Sequence, residues 1–207
     1  MNSYSLPLFP LDVVLCPNGF IPLRIFEARY LDMVKNCLRN NSSFAIVASL
    51  PDAASKKQHN LPFEEIGTLV EIVDADVTTV GLMSIRCVGH HRIKVNSYTQ
   101  QADGLLIGEV VDIANDAVLP VPEDLEMTSR SLKRFVESLP SLNISPNDVP
   151  FVKPYKFDDA SWVSYRWLEL MDLSLIQKQR LMQLDSPIVR LELIHDMLAG
   201  TSGKPLS

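Results

Sequence analysis

Apolar residues change their spacing along the chain, and this change divides it into two predicted parts. Between residues 43 and 113, short segments are either apolar throughout or alternate apolar with polar residues, and turn residues separate them. This pattern is typical of β-strands. Beyond Pro120 and Pro122, apolar residues recur at helical spacing. We therefore expect a β-rich domain over residues 1–118 and a helical domain over 119–207.

The stretch PLFPLDVVLCPNGFIPLRIFEARY, residues 7–30, is apolar but interrupted by four prolines. A membrane-spanning helix needs about 20 apolar residues in helical conformation. A secretory signal begins with basic residues, whereas the first basic residue here is Arg24. Prolines at this spacing instead favour short strands and turns. The stretch is thus predicted to form two strands with a turn at 16–19 and then a helix from Glu27 to about Asn41, without a targeting signal or membrane span.

Five further runs in the first part are expected to be strands. They are SFAIVASL (43–50), EIGTLVEIV (65–73), VTTVGLMSIRCVG (77–89), RIKVNSY (92–98) and LLIGEVVDI (105–113). A polar loop, 51–62, follows the first run, and Asp74-Ala75-Asp76 is predicted to form a turn. Short strands at this spacing, with glycines inside them, indicate a small closed or nearly closed β-barrel with one helix.

The second part is expected to be a small helical bundle. Ser174 and Gln177 have the spacing of a capping box, and Asp158 or Asp159 can cap the helix before it. The tail 201–207 is predicted to be disordered. The apolar residues expected to face inward on the helices of both parts include Tyr30, Val34, Cys37, Leu38, Leu132, Phe135 and Leu191.

Composition narrows the classes of function. Hydrophobic residues make up 46% of the 207 positions, which is enough to bury a core. The formal net charge of −6 disfavours nucleic-acid binding, because counterion release needs clustered lysine and arginine. Cys16, Cys37 and Cys87 are odd in number and lack CxxC spacing. This favours free, buried thiols in a reducing cytoplasm, so we expect a cytoplasmic protein.

Several motifs, taken in order, resemble one family. The opening stretch is similar to the start of the N-terminal domain of the ATP-dependent Lon protease family. EIGTLVEI and GLMSIRCVGHHRIKV resemble strands of that domain, and WLELMDLSLIQKQRLMQLDSPIVRLELIHDML resembles its helical segment. The resemblance covers residues 6–199. It implies an α+β fold, a PUA-like β-barrel followed by a helical bundle, and a stand-alone substrate-binding domain.

The chemical motifs of Lon proteases are missing from this sequence. A phosphate-binding loop needs glycines and then Gly-Lys followed by Ser or Thr, but Gly203-Lys204 is followed by Pro205, and there is no GxSxG motif. His90 and His91 are adjacent and would point to opposite faces of a strand, so we expect structural roles rather than a shared metal. The sequence predicts a protein that is not an enzyme, with no catalytic residue, cofactor or metal.

Two groups of residues are candidates for a site. Arg24 and Glu27 lie in the Lon-like motif, and we interpret them as a structural ion pair at the corner between strand and helix. Leu61, Pro62 and Phe63 end the polar loop with three apolar residues. They are candidates for binding polypeptide, while packing over the end of the barrel explains them equally well.

Two functions of different class fit these features. The resemblance implies a protein that binds unfolded or tagged polypeptides in proteolysis or protein quality control, with a separate protease or ATPase as a further candidate partner. The alternative is an RNA-binding module, because PUA-like barrels include RNA binders. The acidic charge of the chain disfavours this alternative.

Overall fold

Six strands and five helices make up the described part of the chain, residues 3–50, 61–142, 151 and 153–201 of a computed structural model, in a mixed α+β fold. The chain forms two compact units, Met1–Asn115 and Asp116–Ser207. Most of the predicted loop 51–62 and of the predicted disordered tail 201–207 lies outside the described residues.

In its described residues, the first unit contains one sheet and one helix. The elements are β1 (Tyr4–Leu11), β2 (Phe20–Ile25), α1 (Ala28–Asn40), β3 (Phe44–Ala48), β4 (Ile66–Thr79), β5 (Leu82–Gln100) and β6 (Leu106–Asp112). The strand order is β2-β5-β4-β3-β1-β6, and β6 also pairs with β5, so the pairings return to β5. β1 and β3 are parallel, and every other pair is antiparallel.

The turn between β4 and β5 corrects a prediction. Asp74-Ala75-Asp76 was expected to form a turn, but it lies within β4, where Asp74 is opposite Arg86 and forms an ion pair with it. The chain reverses instead after Val80, at Gly81, which has a φ of 81°. Glycine adopts positive φ without steric cost, so Gly81 rather than the aspartates sets the turn.

The turn predicted at residues 16–19 is confirmed. The Gly19 amide donates to the Cys16 carbonyl at 2.9 Å, and Asn18 has a φ of 59°. The turn packs on β5 through Gly89, whose amide donates to Gly19 O while its carbonyl accepts from Asn18 N. A Cβ atom at Gly89 would lie 2.5 Å from the Cys16 carbonyl oxygen, so only glycine allows this approach.

The helix α1 covers one apolar cluster of the sheet. Its left-handed C-cap is Asn41, which agrees with the predicted end of the helix. The prediction for Leu38 is wrong, because Leu38 is exposed. The buried face comprises Tyr30, Met33, Val34 and Cys37. Leu38 is four residues after Val34 but directly follows Cys37, so it lies at the edge of this stripe, where its side chain is exposed.

The second unit contains α2 (Glu126–Ser138), α3 (Ala160–Leu170), α4 (Leu175–Met182), α5 (Pro187–Thr201) and 3₁₀ turns at Glu123–Leu125 and Leu139–Leu142. Two predicted caps are confirmed. Asp159 accepts a hydrogen bond from Ser161 N, and Ser174 and Gln177 form a capping box at the start of α4. In the described residues, the helices are too short or too polar to span a membrane.

The core of the second unit is centred on Trp162, which is buried among Phe151, Tyr155 and Phe157. The apolar stripe of α2 contributes Leu132 and Val136, as predicted. The inward orientation expected for Phe135 is wrong, because its side chain is exposed. Phe135 precedes Val136 and therefore lies at the edge of the stripe.

Candidate functional site

An open groove of about 500 Å³ lies on the first unit, where the ends of β1 and β2, the start of α1 and the β5–β6 hairpin contribute side chains. Its apolar lining comes from Phe9, Pro10, Leu11, Phe26, Tyr30, Pro62 and Leu106. The remaining lining residues are Arg24, Glu27, Arg29, Tyr98, Gln100 and Gly104.

Stacked aromatic rings line part of this groove. The ring centroids of Phe9 and Tyr30 are 4.0 Å apart, and both side chains are buried. The Arg29 guanidinium lies 4.7 Å from the centroid of the Tyr30 ring, a favourable cation–π geometry. Burial raises the pKa of the Tyr30 hydroxyl above its usual range.

Arg29 joins the two sides of the groove. Its guanidinium donates to the Glu27 carboxylate at 2.7 and 2.9 Å, and to the Gly104 carbonyl at 3.0 Å. Gly104 belongs to the β5–β6 turn and has a φ of 88°. The start of α1 and the turn are thereby held together by one side chain.

This contact replaces the predicted ion pair between Arg24 and Glu27. Within the described residues, Glu27 pairs with Arg29, whereas Arg24 is exposed on β2 opposite Ser84. The reason is local: Glu27 occupies the N-cap position of α1 without a capping hydrogen bond from its side chain, and Arg29 in the first turn reaches its carboxylate directly. Arg24 and Glu27 both line the groove, so the motif brings them to one surface without pairing them.

Phe26 is the exposed aromatic residue of the groove. It directly follows the buried Ile25 at the end of β2, and 69% of its surface is accessible. Successive residues of a strand point to opposite faces, so the chain that buries Ile25 directs Phe26 outward. Phe26 is out of phase with Ile21, Leu23 and Ile25 in the sequence, but the predicted site residues did not include Phe26, Tyr98 or Leu106.

The candidates Leu61, Pro62 and Phe63 separate into two groups. Leu61 and Phe63 are buried in the second apolar cluster of the sheet, where Phe63 contacts the Tyr98 ring edge-on at 5.4 Å. Backbone hydrogen bonds from Leu50 N to Pro62 O and from Glu64 N to Ala48 O hold this segment beside β3. Leu61 and Phe63 are therefore packing residues in this structure. Pro62 is exposed and lines the groove.

The adjacent histidines contact different strands. His90 Nε2 lies 2.8 Å from Glu71 of β4, and His91 Nε2 lies 2.8 Å from Asp112 of β6. The Tyr4 hydroxyl also donates to Asp112, at 2.6 Å. These two hydrogen bonds lower the pKa of Asp112. Residues 3–50, 61–142, 151 and 153–201 contain no group of three or more residues arranged to hold a metal ion.

The cysteines are buried thiols. Cys16, Cys37 and Cys87 are buried and are not joined in disulfides, as the sequence predicted. Burial raises the pKa of the Cys37 thiol, and it raises that of Cys87 to about 12. A thiol is nucleophilic as its thiolate, so Cys37 and Cys87 are poorly suited to nucleophilic chemistry at neutral pH.

A family model and a solved structure agree on the family to which this chain is similar. The family model for the substrate-binding domain of ATP-dependent protease La (LON) matches residues 5–200. A crystal structure of a Lon N-terminal domain protein from Xanthomonas campestris is 34% identical, with a TM-score of 0.73, and the match covers 95% of this chain and 98% of that one.

Two curated relatives are longer than this chain. A LON peptidase N-terminal domain and RING finger protein of Schizosaccharomyces pombe is 28% identical over 91% of this chain and 44% of its own length. Cereblon of Danio rerio is 28% identical over 57% of this chain and 27% of its own length. The chain thus spans less than half the length of these curated relatives.

Proposed function

Because the chain belongs to the family of LON substrate-binding domains, we propose that it binds segments of non-native or tagged polypeptides in the groove of its first unit. We propose that it binds polypeptide without cleaving it, because the sequence has neither a phosphate-binding loop nor a nucleophile elbow. A separate protease or ATPase is the partner to which we expect a bound polypeptide to pass.

The observation that supports this site best is the exposure of Phe26 beside a preformed aromatic surface. Phe26 is 69% accessible and lies beside the other apolar residues that line the groove, and a contiguous exposed apolar patch marks an interaction site. The Phe9–Tyr30 stack and the Arg29 bridge fix the walls next to Phe26. An apolar side chain of a client can enter the groove without rearranging the sheet.

The chemistry of the groove suits clients that vary in sequence. Phe26, Pro62 and Leu106 offer apolar contact, and the exposed Arg24 adds a positive charge at the same surface. An unfolded client loses conformational freedom when it binds, so the affinity should be weak for the area buried. We also infer that the closed cycle of strand pairings is the predicted PUA-like barrel and that α2 to α5 form the predicted helical bundle.

The test is a titration of a fluorescently labelled, permanently unfolded model protein with the full chain, followed by anisotropy. Phe26→Ser should weaken binding at least about fivefold, the effect of losing roughly 1 kcal/mol of apolar contact. Met127→Ser is a matched control, because Met127 is an exposed apolar residue of the second unit. It should bind like the wild type.

Equal binding by Phe26→Ser and the wild type, with both folded by circular dichroism, would move the site away from the groove. No binding by the wild type at high concentration would refute the polypeptide-binding function. A labelled single-stranded RNA in the same titration tests the alternative function, and RNA binding that persists at physiological salt would favour that alternative.

A further inference from the structure

The outer edge of β4 is unpaired over most of its length. β3 pairs with β4 only from Thr68 to Val70. Beyond Val70, the strand continues through Glu71–Thr79, and among the described residues this part pairs with β5 alone. An exposed strand edge presents free backbone N–H and C=O groups that can pair with another chain.

The two faces of this edge differ in chemistry. Residues directly opposite in paired strands share a face. One row joins Ile25 of β2, Met83 of β5 and Val77 of β4. Ile25 and Met83 are buried, whereas Val77 is 66% accessible. This apolar row therefore ends at an uncovered valine on the strand edge.

The opposite face of the same edge is polar and acidic. Here Arg24, Ser84 and Asp76 form one row across β2, β5 and β4. In the neighbouring row the carboxylate of Asp74 accepts hydrogen bonds from Arg86. Since Asp74 already has a cationic partner, Asp76 is the carboxylate best placed for a new one.

We propose that the outer edge of β4, Glu71–Thr79, binds an extended segment of another polypeptide as an added strand. Backbone pairing supplies the affinity, and the faces set the sequence. Alternate side chains of the segment are apolar, continuing the row that ends at Val77. The intervening side chains are lysine or arginine, opposite Asp76. The edge shares no residue with the groove, so this inference holds whether or not the groove binds polypeptide.

Charge favours a foreign strand over a second copy of this chain. An antiparallel pairing of two copies centred on Ala75 would place Asp74 of each opposite Asp76 of the other. Like charges directly opposite across strands are destabilising. A basic partner converts the same positions into favourable pairs, so charge disfavours this self-pairing relative to pairing with a basic strand.

The probe is a fluorescent synthetic peptide that alternates valine and lysine, titrated against the full chain by anisotropy. Two further peptides carry N-methyl groups on alternate residues. In one peptide these are the residues whose N–H groups point toward β4, and in the other they are the residues between them. N-methylation removes the N–H donor. Methylation of the residues whose N–H groups point toward β4 should therefore raise Kd about tenfold or more, while methylation of the residues between them should change Kd little. Equal Kd values for the two methylated peptides would overturn strand addition.

Protein variants locate the peptide. Asp76→Lys should raise the Kd of the valine–lysine peptide about two- to fivefold and lower that of a valine–glutamate peptide. Asp172→Lys changes the net charge equally at an exposed loop position in the second unit and should alter neither Kd. Phe26→Ser, which alters the groove, should weaken binding of this peptide less than Asp76→Lys does.

Three results would overturn the proposal once circular dichroism shows the variants to be folded. One is equal weakening by Asp76→Lys and Asp172→Lys, which would indicate bulk charge only. Another is loss of peptide binding in Phe26→Ser alone, which would place the peptide in the groove. The third is a wild-type dimer in sedimentation that Val77→Lys dissociates, which would assign the edge to a second copy.

Discussion

At the scale of single residues, Arg190 is held by several polar contacts within the second unit. It is fully buried, pairs with Asp116 at 2.8 Å, and donates to the carbonyls of Leu181 and Leu184. Its guanidinium lies 3.8 Å from the centroid of the Tyr165 ring. Removing one partner of a buried ion pair leaves the other charge desolvated.

We therefore expect Arg190→Met to lower the free energy of unfolding by about 3–5 kcal/mol, measured by urea denaturation. Arg130→Met is the matched control, because Arg130 is exposed and pairs with Glu126 on the surface of α2. Such a pair contributes about 0–1 kcal/mol. Similar losses in the two variants would show that the Arg190 network does not stabilise the unit.

Asp112 gives a residue-scale prediction about pH. Hydrogen bonds from Tyr4 and contact with His91 lower its pKa in the folded chain. The stability that these contacts contribute is fully present above the pKa of Asp112 in the unfolded chain, about 3.9. It is lost as the pH falls through the lowered pKa of Asp112 in the folded chain. Because Asp112 is half exposed, solvent screening keeps the effect small.

Asp112→Asn should consequently be less stable than the wild type at neutral pH, and the difference should shrink below about pH 4. Urea denaturation over a series of pH values measures it. Asp172→Asn, at an exposed loop position, should retain the wild-type pH dependence. A constant difference between Asp112→Asn and the wild type across the series would contradict the assignment.

At the scale of elements, the segment 61–63 contains two kinds of apolar residue. Phe63 is fully buried against Tyr98, while Pro62 faces the groove. We expect Phe63→Ser to lower the free energy of unfolding by about 3–5 kcal/mol, because it leaves a cavity and buries a hydroxyl. Pro62→Ser should change stability by about 0.5 kcal/mol or less.

The same pair of variants separates packing from recognition. In the titration with an unfolded model protein, folded Pro62→Ser should bind more weakly than the wild type. Phe63→Ser, wherever it remains folded, should bind normally. The opposite result would return Phe63 to the role that the sequence first suggested.

Helix ends were predictable where a local motif sets them. The capping box of Ser174 and Gln177 and the Asp159 cap depend on residues within one turn, so sequence spacing is sufficient to locate them. The β4–β5 turn was not located, because aspartates near it also fit a turn and cross-strand pairing decides between them. The exposure of Phe26 was likewise readable only once the phase of β2 was known.

At the scale of the whole molecule, the order of motifs predicted the family and the α+β fold, but not the groove. The groove combines residues of β1, the β2–α1 corner, the segment at Pro62 and the β5–β6 hairpin. These are separated by long stretches of sequence, and local patterns carry no information about which side chains meet. The closing contact from Arg29 to Gly104 spans 75 positions.

All residues that line the groove belong to the first unit, Met1–Asn115, which has its own apolar clusters. A unit with its own core can fold alone, so a fragment of residues 1–115 should bind the unfolded model protein with the Kd of the full chain. Circular dichroism and a cooperative urea transition check that the fragment is folded, and anisotropy measures binding. A folded fragment that fails to bind would show that the second unit contributes to the site, while a fragment carrying Phe26→Ser should lose affinity as the full chain does.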